Sequence, residues 1–280
     1  MSAEPVERRA GPDPGLFGPQ SVTWRVHADP LLGLAGLRAL LLQALHPLTM
    51  AGVAQFSGYR EDPWGRLQRT AAFVGRTTFG PTPDALAAGA RVRAVHRGLA
   101  GIEPESGVAY RVSDPELLRW VHVCEAQSFL TTFRRAGGRL EPGEADQYYG
   151  EMQRAADLVA AGPVPHTEQE VERYLHAMRP RLRVTADARE AAWIVVNPPM
   201  PRWVALATPA KPAWWSIGAL AVALLPRWAR RMYSLPGLPP TDLAATVALR
   251  ALHRAVLALP ARRREGPSLR EARDRLELSR

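Results

Sequence analysis

Among the seven histidines of this 280-residue chain, His96 keeps the most unusual company. It sits in ARVRAVHRGLAG (residues 90–101), flanked by Arg91, Arg93 and Arg97. A neutral imidazole on a helix can ligate a metal, and fixed cations nearby suit a cofactor that carries carboxylates. In helical projection Ala88, Val92, Val95 and Leu99 form an apolar stripe, with His96 at its border and Arg93 one turn earlier on the same side. Two readings stand side by side: a ligand to haem iron, or an imidazole packed or half exposed at the edge of a core face. The preceding segment, DPWGRLQRTAAFVGRTTFG, puts Arg66, Arg69 and Thr70 at i, i+3 and i+4, next to Ala71, Phe73 and Val74. Turned inward, two guanidinium groups and a hydroxyl demand an anion or a polar ligand to offset desolvation. Turned outward, they form a solvated face with Thr70 bonded back to its own helix.

Other chemistries have less support. The residues three before the histidines are Trp24, Gln43, Arg93, Arg119, Pro163, Arg173 and Arg250, so the Glu-x-x-His element of di-iron bundles is missing. There is no His-Glu-x-x-His, no glycine-rich phosphate loop and no Gly-x-Ser-x-Gly elbow. The single cysteine, Cys124, excludes an intrachain disulfide, a multi-cysteine zinc site and covalent haem attachment. The net charge of +9 is nearly all arginine, because Lys211 is the only lysine. Those cations are spread over most helices and do not alternate with aromatics, which argues against nucleic acid as a partner.

The elements that must hold these residues are helices. Asp29-Pro30, Asp62-Pro63, Thr82-Pro83 and Asp114-Pro115 each precede an amphipathic run, a capping side chain followed by a residue with no amide to waste. Helices are predicted near 30–46, 63–78, 83–99 and 115–136, the last stopped by Gly137-Gly138. EPGEADQYYGEMQRAADLVAAG, HTEQEVERYLHAMRP, TADAREAAWIVV, 213–233 (broken at Pro226) and 241–259 repeat the 3.6 period. EPESGVAYRV (103–112) reads as at most one short β-hairpin. The fold class is therefore all-α: one bundle-like domain over 21–260, with flexible tails at 1–20 and 261–280. The start of the chain lacks the apolar core of a signal peptide, and the apolar runs are interrupted or short of the roughly 20 residues a membrane span needs. A cytoplasmic protein is expected, with 213–228 as a candidate peripheral membrane contact.

Of the other histidines, His46 before Pro47 reads as a helix cap, His122 as a buried partner of Glu125, and His176 and His253 as exposed. Tyr148-Tyr149 and Trp214-Trp215 read as core and interface aromatics.

Arg-x-x-x-Thr in 62–70, with Arg-x-x-His ending 26 positions after Thr70, resembles the catalytic domain shared by rubber oxygenases (latex clearing proteins) and MpaB-type oxygenases. LLLQALHPLTMAGVAQFSGYREDPWGRLQRT, DPELLRWVHV and YLHAMRPRLRVT extend the likeness over roughly residues 25–235. The resemblance implies an all-α fold around a noncovalent haem b, with His96 as the proximal iron ligand. It places Arg66 and Thr70 on the distal side and Arg93 one turn before the ligand, with Val92 and Leu99 against the porphyrin. Two departures stand out. Arg69 occupies the place of a distal lysine, and arginine, unlike lysine, practically never loses its proton to coordinate iron. Rubber cleavers also use a glutamate upstream of the distal arginine, yet no carboxylate lies between Asp29 and Glu61. The implied activity is an oxygenase or peroxygenase using dioxygen or peroxide on a small apolar substrate. The alternative is a non-catalytic haem or hydrophobic-ligand binder that keeps the fold.

Overall fold

A computed structural model describes residues 11–235 and 238–278. Its centre is α6 (Pro115–Ala136), whose first turn is capped by the Asp114 carboxylate accepting from the Glu116 amide at 2.8 Å. It ends at Gly137, whose φ of 111° suits a residue without a side chain. Apolar residues wrap nearly the whole of α6, and Trp120 and Cys124 are fully buried in it. The widest packing on α6 comes from α2 (Leu32–Gln43), with Leu41 and Leu42 in the same core. Arg38 of α2 is buried beside them, its guanidinium donating to the Leu224 carbonyl, the Gln127 amide oxygen and the Ser128 hydroxyl. Three acceptors offset the desolvation of that charge.

The site helices hang on this hub. After α1 (Val22–His27) and α2, α3 (Pro47–Phe56) turns away from α2 by 112°. His46 caps α3 by accepting from the Thr49 amide at 3.4 Å, so it serves a helix start and not the carbonyls of a helix end. Asp62 caps α4 (Pro63–Phe79) through the Gly65 amide at 2.8 Å. Next, α5 (Thr82–Arg97) packs on both α4 and α7 (Glu144–Val159). Between α5 and α6, β1 (Ala100–Ile102) pairs antiparallel with β2 (Ala109–Arg111), with Gly101 opposite Tyr110. The hairpin thus begins before the predicted 103–112, which holds only its turn and second strand. Then come α8 (Glu168–Met178), a short turn at Arg179–Arg181, α9 (Ala186–Val196), α10 (Arg202–Ala207), α11 (Ala210–Ala223), α12 (Arg227–Met232) and α13 (Pro239–Leu257). The described residues form an all-α domain with this one small sheet.

The ends depart from expectation. Residues 261–280, predicted as a flexible tail, contain α14 (Ala261–Arg264) and α15 (Pro267–Arg275). Leu269 and Ala272 of α15 are buried against Trp24 and Phe79, which meet edge to face with centroids 4.9 Å apart. The apolar spacing is present in the sequence, hidden among arginines. Of the predicted 1–20 tail, residues 1–10 lie outside the described residues. Within 11–20, Phe17 is buried and Asp13 accepts from the Thr82 amide at 2.6 Å and the Thr82 hydroxyl at 2.9 Å. Thr82 therefore starts α5 instead of capping it. Asp29 likewise accepts from the Leu31 amide just before α2. Its other oxygen meets His253 Nε2 at 2.9 Å, so His253, predicted as exposed, is largely buried.

Candidate functional site

Along α4, Arg66 and Thr70 stand one turn apart because four residues nearly complete a turn. The Thr70 hydroxyl donates to the Arg66 carbonyl at 2.9 Å and so accepts from the Arg66 guanidinium. Thr70 is bonded back to its own helix, while the Arg66 guanidinium is packed inward. Burial, and then Arg69, hold Arg66 below the ordinary arginine range. On the facing helix α5, His96 is half-buried. Its Nδ1 is buried with no hydrogen-bond partner among the described residues. Burial first, and the Arg66 charge second, push this imidazole below the usual histidine range. The facing pair is thus a neutral ring with a free nitrogen and a guanidinium with no carboxylate to answer it.

The structure brings Arg66, Thr70 and His96 together and separates the other predicted residues from them. Arg69 turns to solvent, bonded to Asp62 at 3.1 Å. Arg93 donates to the Leu158 carbonyl at the end of α7 and ties α5 to its neighbour. Val92 and Leu99 are half-buried. Val95, predicted within the buried stripe, is 57% exposed, and the buried face of α5 runs through Ala85, Ala88 and Gly89 instead. Among the described residues no carbonyl or carboxylate holds the second ring nitrogen of His96, contrary to the usual habit of a ligating histidine.

Arg66 also borders an apolar cleft with a volume of about 90 Å³. Leu40, Met50, Val53, Leu67, Ile194 and Val195 line it. Arg60 holds α9 over this cleft through Asp187 at 2.6 Å and Glu190 at 2.7 Å. The cleft residues on α3 and α9 lay beyond sequence reasoning, because they meet only through tertiary packing. Their one sequence signal is the apolar run around Pro47.

A second buried polar group lies behind α4. His27 Nδ1 is 2.8 Å from the Thr78 hydroxyl, and its Nε2 is 3.3 Å from the Tyr148 hydroxyl. Tyr148 spends its single proton on the Ala126 carbonyl at 3.2 Å, so Nε2 of His27 carries the ring proton and Nδ1 accepts from Thr78. Burial pushes His27 down to about 3 and His122 down to about 4. It pushes Glu125 up to about 7. No hydrogen bond joins His122 to Glu125, so the predicted imidazole–carboxylate bond is not made. No group of three or more metal-ligating side chains occurs among the described residues.

The site thus joins a cation, a hydroxyl and a neutral imidazole, and of the three the cation lines the apolar cleft. Residues 24–258 match the family described as ER-bound oxygenase mpaB/B'/Rubber oxygenase, catalytic domain, and the chain belongs to that family. No curated protein matches the chain, and no solved structure does.

Proposed function

We propose that this oxygenase works with a noncovalent haem b, His96 ligating its iron, on a small apolar substrate with dioxygen or peroxide as oxidant. The observation that carries the reading is the buried nitrogen of His96, unpartnered among the described residues, beside Arg66, which itself lines the apolar cleft. The residues fit the group. A neutral imidazole is the ligating form of histidine. Arg91 and Arg97, exposed and without ion pairs among the described residues, suit propionates. The bared Val95 beside the ring suits a porphyrin face.

When bound, the haem supplies the oxidising chemistry, and the protein supplies position and field. Arg66 is the buried donor beside the reacting centre, and it holds negative charge that develops on the oxidant's oxygen. Thr70 orients Arg66 by accepting a hydrogen bond from its guanidinium. The cleft holds the substrate beside Arg66 and keeps water out. In purified, haem-replete protein a Soret band is expected, and His96→Ala abolishes or strongly shifts it. An unchanged spectrum in that variant removes the assigned ligand.

The access side of the cleft is a membrane-facing surface in this reading. From residue 191 to residue 241 there is no acidic side chain. That stretch exposes Trp193, Trp203, Leu206 and Trp215 together with Arg202, Lys211 and Arg231. Interfacial tryptophans beside cations suit an anionic bilayer surface. The face spans α9 to α12, wider than 213–228. No single helix among the described residues is long and apolar enough to cross a membrane.

A further inference from the structure

We propose that the cleft takes an apolar molecule ending in a carboxylate, and that Arg66 is the residue that selects it. Among the described residues that line the cleft, Arg66 carries the one charge, and none is acidic. Its neighbour Asp62 is taken by Arg69 at 3.1 Å, and Arg66 makes no ion pair among the described residues. Of its five N–H groups, one goes to the Thr70 hydroxyl, the guanidinium's sole hydrogen-bond partner among the described residues. A cation packed inward with no counter-ion bears a desolvation cost that nothing around it offsets. The guanidinium fork is matched by a planar carboxylate, which accepts two parallel hydrogen bonds and brings the missing charge. Two N–H groups then remain for the oxidant's oxygen.

The other polar groups of the lining leave this choice to Arg66. The Thr49 hydroxyl oxygen is sealed from the cleft by its surroundings. Gln43 donates one amide hydrogen to the Val121 carbonyl at 3.1 Å. Its amide oxygen accepts no hydrogen bond among the described residues, so it favours a donor and opposes an anion. The Tyr59 hydroxyl donates to Glu190 only at 3.5 Å, while Arg60 holds that carboxylate at 2.9 and 2.7 Å. Burial pushes the Tyr59 ionisation up to about 12, so the hydroxyl keeps its proton and can donate it to a ligand oxygen instead. The rest of the lining is apolar, which suits a short alkyl chain in a volume of about 90 Å³. A hydrocarbon leaves the Arg66 charge unanswered, and a neutral alcohol or amide offers it one oxygen and no charge.

That the acid is a substrate rests on the oxygenase reading above; the binding preference does not, and its test needs no turnover. Hexanoate, hexanamide and acetate are titrated by calorimetry at neutral pH into the full chain, as wild type, Arg66→Gln and Arg66→Lys. Hexanamide has the same chain and lacks the charge, whereas acetate has the charge and lacks the chain. Wild type is expected to bind hexanoate about tenfold or more tightly than either, as a charge-assisted hydrogen bond provides. Arg66→Gln removes the advantage of hexanoate over hexanamide. Arg66→Lys, which keeps the charge without the fork, retains only part of it. Circular dichroism establishes that each variant is folded; if Arg66→Gln is not, Arg66→Lys and the wild-type series decide. Hexanamide binding as tightly as hexanoate to the wild type overturns the proposal, as does failure of hexanoate to bind. So does an acid preference that survives Arg66→Gln or is undiminished in Arg66→Lys. Acetate as tight as hexanoate overturns it too, because the site is then a surface arginine. The His96→Ala spectrum is read without these ligands, so either reading can fail alone.

Discussion

His96 and His27 show how differently two imidazoles can be kept neutral. His27 is satisfied on both nitrogens by Thr78 and Tyr148 and is part of the packing. His96 keeps a buried nitrogen with no partner among the described residues. The satisfied group makes a prediction of its own. Folding holds His27 at about 3, and His46 and His122 each at about 4, against an unfolded value of about 6.5. Because the folded values are depressed, the unfolded chain binds more protons between these limits. Stability is therefore full above about pH 6.5 and falls as pH drops toward 3. Glu125, raised to about 7, acts with the opposite sign between about 4.5 and 7, but three histidines outweigh one glutamate. The thermal midpoint is expected to fall steadily from pH 6.5 to pH 4, and His27→Gln to flatten the slope. A midpoint independent of pH over that interval rules the account out. At this scale the sequence was partly readable. Arg66, Thr70 and His96 stood out by type and spacing. The solvent-facing turn of Arg69 and the reach of Arg93 to α7 did not, because long side chains choose among partners that only the tertiary fold supplies.

At the level of elements, Asp-Pro pairs marked helix starts well wherever the cap was local. Asp62 and Asp114 cap α4 and α6 as their spacing predicts. Asp29 and Thr82 instead bond partners far along the chain, His253 and Asp13, and so shift by a residue or two from the expected boundary. The least legible element was α15. Its buried positions, Leu269 and Ala272, are diluted by arginines, and what holds it is packing against Trp24 and Phe79, which no local pattern reveals. Because Leu269 is buried there, Leu269→Ala is expected to cost about 2 to 5 kcal/mol. Urea unfolding followed by circular dichroism should show a lower midpoint at unchanged slope. A midpoint within error of wild type would mean that α15 is not docked on α4.

For the molecule as a whole, α9 divides two environments. Ile194 and Val195 line the cleft, and Trp193 between α9's two neighbours faces outward among the cations of the acid-free stretch. In the proposed reading, an apolar substrate leaving a lipid surface has this one helix to pass. Vesicles of phosphatidylglycerol are expected to co-sediment with the protein at low salt, while phosphatidylcholine vesicles are not. Trp203→Ala combined with Leu206→Ser should reduce that binding severalfold without moving the unfolding midpoint. Equal pelleting with both lipids, or with the double variant, counts against the surface. Cys124 adds a consequence of a different kind. It is the sole thiol, enclosed at the heart of α6, and burial pushes its ionisation well up. An alkylating reagent reaches it only when the helices around α6 come apart. The rate of its labelling is a clock for opening of the entire bundle, carried by the native chain without any engineered tag.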